Sequence, residues 1–186
     1  ELLGEMIANA NKADLPRIVA VGHSAGSIFH GHFLTRLAKV KGDMKVDQLH
    51  LLAPAIKETD FKKLLAPLIG KTEFINEASL FAMTRAAERN DNCGGVYRKS
   101  LLYLVRNAFE KGDDVRIAGL QDSWNDSDLF QEKLMDAIWS PTHPDTANTK
   151  KHSLSESHGG FDNDFATMES VLRRINHLED GKPVEF

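Results

Sequence analysis

Residues Arg17–Ile28 read RIVAVGHSAGSI. Four apolar residues, Ile18 to Val21, run directly into Gly22-His23-Ser24-Ala25-Gly26, and a helix-like segment follows at once. Strand, sharp turn and helix with a serine at the apex is the context in which a G-x-S-x-G pentapeptide forms a nucleophile elbow. Both glycines answer to the turn, since a Cβ at 22 or 26 is expected to crowd the neighbouring strand and helix. Ser24 is expected in strained φ/ψ, at a cost of roughly 1–3 kcal/mol that packing must offset. The turn also sets Ser24 at a helix N-terminus, where unpaired N–H groups can bind a developing oxyanion; the Ala25 amide is the expected donor. The bland alternative is a strand–turn–helix connection that happens to hold a serine.

Outward from the elbow, Ile28, Phe29, Phe33, Leu37 and Val40 give a helical stripe over Ser27–Val40. Gly31 within it costs about 1 kcal/mol against alanine, which points to a close backbone approach there. Val46–Ala53 (VDQLHLLA) reads as the second strand, cut off by Pro54. Strand, helix and strand at this spacing make a βαβ unit, hence parallel strands and a right-handed crossover. Upstream, Leu2, Leu3, Met6, Ile7 and Ala10 predict an amphipathic helix over Leu2–Lys12. Downstream, the pattern predicts a helix over Thr59–Ile69 interrupted by Pro67, a third strand at Ser79–Thr84, a polar loop over Arg85–Gly95 and a buried helix over Val96–Glu110. Val115–Gln121 (VRIAGLQ) reads as the fourth strand, followed by a helix over Asp128–Trp139. Ser140–Lys151 reads as a surface excursion and Ser153–Ser157 as a short extended run. Asp164–Leu178 reads as the last helix, with Asp162 to Asp164 as cap candidates. The whole of 1–186 thus reads as one α/β domain, a three-layer α/β/α sandwich on a mostly parallel sheet.

Composition narrows the function classes. With 186 residues and 41% apolar content the chain can bury a real core. A formal charge of −4 offers no footprint for nucleic acid or an anionic membrane. The lone Cys93 excludes an intramolecular disulfide and fits a reducing, cytoplasmic setting. No apolar run approaches the ~20 residues of a membrane span. The chain opens at Glu1 without a methionine, on what reads as a helix, as a processed or excerpted chain would.

A serine hydroxyl needs a base within hydrogen-bond reach and a carboxylate that holds that base in the right tautomer. Of eight histidines, His23 lies inside the elbow and is expected to point away from the reacting centre. His30, His32 and His50 fall within regular elements and read as structural, and His143 and His177 as surface residues. His152 and His158 flank the last extended run. His158, in Ser157-His158-Gly159-Gly160-Phe161, is the expected base: it is late in the chain, past an extended segment, in a glycine-bearing loop before the last helix. The acid is open between two positions. Glu88 and Asp91 follow the third strand, and Asp122, Asp126 and Asp128 follow VRIAGLQ; Asp91 leads the first group and Asp122 the second. His152 and His158 lack the i, i+4 spacing of a helical zinc pair, and Asp122, Asn125, Asp126 and Asp128 lack the glycine and terminal glutamate of a calcium loop, so no metal is expected.

With Gly22–Gly26, a late His158 and an intervening carboxylate, the chain resembles the α/β-hydrolase superfamily, whose triad runs serine, acid, histidine. Tyr97–Val105 (YRKSLLYLV) and Ser157–Asp164 (SHGGFDND) are similar to segments of uncharacterised bacterial serine hydrolases of that superfamily. The resemblance implies hydrolysis of a small-molecule carboxylic ester through an acyl-enzyme, with no metal or organic cofactor. It covers only the C-terminal portion of that fold: Arg17–Val21 looks like the fifth strand and the three later strands like the sixth to eighth. Strands one to four are lacking, and with them the loop that donates the second oxyanion N–H, a loss of about 10²–10³ in rate. The open edge beside Arg17–Val21 is then expected to be covered by upstream polypeptide or another chain. Rival readings are a non-catalytic scaffold or interaction domain, and a thioesterase or amidase on the same residues.

Overall fold

The computed structural model describes residues 17–40, 44–70, 72–93, 95, 97–109, 115–124 and 134–184. Strands β1 (Val19–His23), β2 (Val46–Leu52), β3 (Ile75–Met83) and β4 (Asp136–Ser140) form one sheet in the order β1-β2-β3-β4. Every pairing is parallel, with Ala20 beside Leu49, Leu49 beside Ala78, and Phe81 beside Ile138. The helices are α1 (Gly26–Val40), α2 (Glu58–Leu64), α3 (Arg85–Asn90), α4 (Leu101–Leu104) and α5 (Phe165–Ile175).

Side-chain alternation along the strands sorts the core into two layers. Ala20, Leu49, Leu51 and Ala78 face α1 and α2, where they meet Leu34, Leu37, Phe61 and Leu65. Leu52, Phe81, Met83 and Ile138 face the other way, against Phe161 and Val171. Helices therefore cover both faces of a parallel sheet, the α/β arrangement that the sequence predicts. On the α5 face the core has a polar strip: the Gln48 amide donates to the Arg174 carbonyl (2.7 Å), and its carbonyl accepts from His50 Nε2 (2.9 Å). His50 Nδ1 in turn accepts from the Ser79 hydroxyl (2.8 Å), so the side chains of Gln48, His50 and Ser79 satisfy one another.

Several elements differ from expectation. Val115–Gln121 is no strand: Ile117 makes a single antiparallel bridge to Lys57, and the segment turns back under the elbow, with the Gly119 N–H on the Pro54 carbonyl (2.9 Å). The fourth strand is instead Asp136–Ser140, at the end of the span expected to be helical; of that span, 128–133 lie outside the described residues. Arg85–Asn90 is a helix rather than a loop, because the Thr84 side chain caps it by accepting from the Ala87 N–H. The helix expected over Val96–Glu110 is shorter, one α-turn at Leu101–Leu104 running into a π-turn at Val105–Phe109. Pro67 ends α2 early, leaving a 3₁₀ turn at Ala66–Leu68. The helix expected at Leu2–Lys12 lies outside the described residues.

Among the described residues β1 pairs with β2 alone, so its outer edge is open. Val21 on it is 42% exposed, and Phe29 and Phe33 of α1, stacked 5.3 Å apart, are 60% and 37% exposed. No described helix is long and apolar enough to cross a membrane.

Candidate active site

Ser24 sits where β1 ends and α1 begins, with φ of 52°. A non-glycine residue in this left-handed region is strained and persists only where neighbours over-determine it. Here they do. The Ser24 N–H donates to the Leu52 carbonyl (2.9 Å), and the Ser24 carbonyl accepts from the N–H groups of Ala55 (3.1 Å) and Ser27 (3.0 Å). Ser27 Oγ adds a fourth bond (2.7 Å) and itself accepts from the Ile56 N–H (3.0 Å), locking the turn to the loop after β2.

The two glycines play different parts. A Cβ at Gly22 would lie 2.6 Å from His30 Cδ2 and 3.0 Å from the Gly26 carbonyl carbon, so this position has no room for a side chain. Among the described residues a Cβ at Gly26 would meet nothing within 4 Å, which corrects the expectation that both are crowded. Gly31 is the expected close approach, its missing Cβ only 3.1 Å from Ile56 Cδ1.

His158 Nε2 lies 2.9 Å from Ser24 Oγ, across 134 positions of chain. The loop that carries it is pinned at both ends. Ser140 Oγ at the end of β4 donates to the Ser155 carbonyl (2.6 Å), and Phe161, fully buried, plugs the core below. Asp164 caps α5 and accepts from the Leu154 N–H (2.8 Å) as well. With the serine donating to Nε2, the ring proton resides on Nδ1, and Nδ1 is buried with no partner among the described residues. Burial, then the neighbouring His23, push the His158 pKa down from 6.5 to about 4, against the opposing pull of Asp91. The ring is therefore neutral at pH 7, as a proton acceptor must be.

Asp91, at the C-cap of α3, reaches the same residue: its Oδ2 accepts from the His158 backbone N–H at 3.0 Å. Its Oδ1 accepts from the Asn92 N–H (2.8 Å). Asp122, the other acid considered, is engaged elsewhere, accepting from Tyr103 Oη (2.8 Å) and pairing with Arg85 Nε (3.1 Å). Among the described residues it makes no bond to His158. The Ala25 N–H donates to no described acceptor and lies beside Ser24 at the start of α1, where the helix dipole is positive.

His23 departs from expectation. Rather than pointing away, it donates from Nε2 to the His158 carbonyl (2.8 Å), with the two rings 5.5 Å apart. Strand alternation carries the signal: Ala20 and Gly22 face α1, so His23 emerges on the opposite face, the one that the His158 loop and α5 cover. Of the other histidines, His50 is buried as a structural residue, His143 and His177 are exposed, and His30 bonds the Val21 carbonyl (3.0 Å) over the elbow.

The chain is thus an α/β protein with a strained serine and a neutral histidine in contact at the C-terminal ends of parallel strands. No family model, curated protein or solved structure matches it.

Proposed function

We propose that this chain carries the nucleophile and base of a serine hydrolase of the α/β-hydrolase type, acting on a small-molecule carboxylic ester through an acyl-enzyme. The observation that carries the reading is the 2.9 Å contact between His158 Nε2 and Ser24 Oγ, with Ser24 held at φ 52°. In this scheme Ser24 Oγ attacks the ester carbonyl carbon as His158 Nε2 takes its proton, and the Ala25 N–H receives the developing oxyanion. His158 then gives that proton to the departing alkoxide. Water, deprotonated by the same ring, attacks the acyl carbon and releases the acid and Ser24.

Asp91 fits the acid role through the orphaned Nδ1 proton. A buried unpaired donor costs about 1–3 kcal/mol, and the carboxylate already bonded to the His158 backbone is the group placed to accept it as imidazolium forms. The open edge of β1 fits an incomplete oxyanion hole, the second donor coming from further polypeptide, upstream or on another chain. The unpartnered Nδ1 also favours a second reading, a scaffold that kept the elbow without a working triad.

A fluorophosphonate probe tests the proposal. Labelling that Ser24→Ala abolishes, together with hydrolysis of p-nitrophenyl butyrate, supports it; labelling that survives Ser24→Ala, or none in the wild type, overturns it.

A further inference from the structure

The backbone of His158 is held at both its polar groups by side chains from elsewhere in the chain. Its N–H donates to Asp91 Oδ2 at 3.0 Å, and its carbonyl accepts from His23 Nε2 at 2.8 Å. One holder stands at the end of α3, the other immediately before the nucleophile. Because His23 and Ser24 are consecutive in β1 and its turn, a bond from His23 to the His158 carbonyl sets the distance between the two reacting residues directly.

We infer that His23 is a positioning residue of the proposed hydrolase, fixing the His158 loop against the elbow so that the imidazole meets Ser24 Oγ. This rests on the serine-hydrolase reading and deepens it. Among the described residues the His158 ring faces His23 at 5.5 Å, and across that loop the Asp91 carboxylate at the end of α3 holds the His158 N–H. His23 therefore acts in two separable ways. Its hydrogen bond positions the loop, and its positive charge, when protonated, opposes protonation of His158. A glutamine keeps a donor at about the reach of Nε2 and loses the charge; alanine or leucine loses both.

The test measures fluorophosphonate labelling rate against pH, and kcat and KM for p-nitrophenyl butyrate, in the wild type and in His23→Ala, His23→Gln and Ser24→Ala. A misplacement on the scale of an ångström costs about 10²-fold in rate. His23→Ala should lose about 10–100-fold in kcat with KM little changed. His23→Gln should recover most of that loss, while its acidic limb moves to higher pH because the charge is gone. If His23→Ala does not fold, His23→Leu takes its place as the apolar control of similar size. Wild-type kcat in the apolar variant overturns the inference, as does a glutamine variant no faster than the apolar one. Both results leave the hydrolase reading intact, provided Ser24→Ala is unlabelled. If the wild type takes no probe, it is the hydrolase reading that fails.

Discussion

Asp91 accepts a hydrogen bond from the backbone N–H of His158, not from its ring. The ring nitrogen that an orienting acid would serve is buried and unpartnered among the described residues, while the carboxylate is bonded to the same residue's main chain. The two acids separable from sequence only by strand counting are therefore separable by experiment. Asp91→Asn should slow labelling of Ser24 by about 10²–10⁴-fold, the range of a disabled general base. It should also move the acidic limb of the pH–rate profile downward, because the Asp91 charge raises the His158 pKa. Asp122→Asn should leave the rate within a few-fold of wild type and cost about 1 kcal/mol for its bonds to Tyr103 and Arg85. Denaturant titration and labelling rates in the two variants check both statements; the reverse pattern would return Asp122 to the site.

The glycines of the elbow make a paired prediction. Gly22→Ala forces a methyl group to within 2.6 Å of the His30 ring and 3.0 Å of the Gly26 backbone. The ring can shift, but the backbone of the first helical turn cannot without moving Ser24. Overpacking of this kind costs about 1–3 kcal/mol, and labelling should fall with it. Gly26→Ala meets open space and should leave stability unchanged or raise it by about 0.5–1 kcal/mol through reduced chain entropy. Equal damage from the two substitutions would mean that Gly26 has a neighbour across the open edge.

What could be read in the sequence and what could not divides along physical lines. The β1–elbow–α1–β2 unit was legible because strand, glycine turn and helical stripe agree over 30 residues, so local and global signals reinforce one another. The pairing of Ser24 with His158 followed from chain order and loop chemistry. β4 was missed because Asp136–Ser140 is five residues long with one large apolar side chain buried, Ile138, too short for period two to separate from a helix end. VRIAGLQ misleads for the mirror reason: Ile117, Ala118 and Leu120 are buried, but in a turn where a Cβ at Gly119 would lie 2.5 Å from the Pro54 carbonyl oxygen. Apolar content reports burial, not extension. The expectation that His23 points away from the reacting centre fails because the turn motif does not set its face, whereas alternation from Ala20 does.

Buried titratable groups set a pH optimum for stability. Burial pushes the Glu88 carboxyl up from 4.5 to about 8, with the Ser100 hydrogen bond opposing and the Asp91 charge adding. Between those values the folded state holds a proton that the unfolded chain has lost, so stability falls as pH rises from about 4.5 to about 8. His50, pushed down to about 4 by burial and then by Arg174 against Asp47, works the other way, as does His158. For each, the unfolded chain holds the extra proton between about 4 and 6.5, and stability rises with pH across that window. Two histidines outweigh one glutamate below 6.5, and above it only Glu88 remains. Urea midpoints measured across pH should therefore peak near 6.5 and decline toward 8, and Glu88→Gln should flatten the decline. A decline that persists in Glu88→Gln would assign it to other groups.

Arg173 gives the last test, because it is one of the largest fully buried side chains and carries a charge. Its Nη2 meets Glu169 Oε1 at 2.7 Å one turn earlier on α5, and Nη1 reaches the Glu179 carbonyl at 3.4 Å. Nε has no partner. A buried pair of this kind contributes little net stability, since desolvating two charges offsets most of their attraction. Removing one member is different: Glu169→Ala leaves a buried cation uncompensated and should cost about 3–5 kcal/mol in denaturant titration. Replacing both, Glu169→Leu with Arg173→Met, should be neutral or stabilising by about 1–4 kcal/mol. Because α5 anchors the loop of His158 through Asp164 and Phe161, the single variant should also lose labelling as it unfolds, with the two losses sharing one thermal midpoint. A single variant as stable as the double would mean that Arg173 is neutralised by a group other than Glu169.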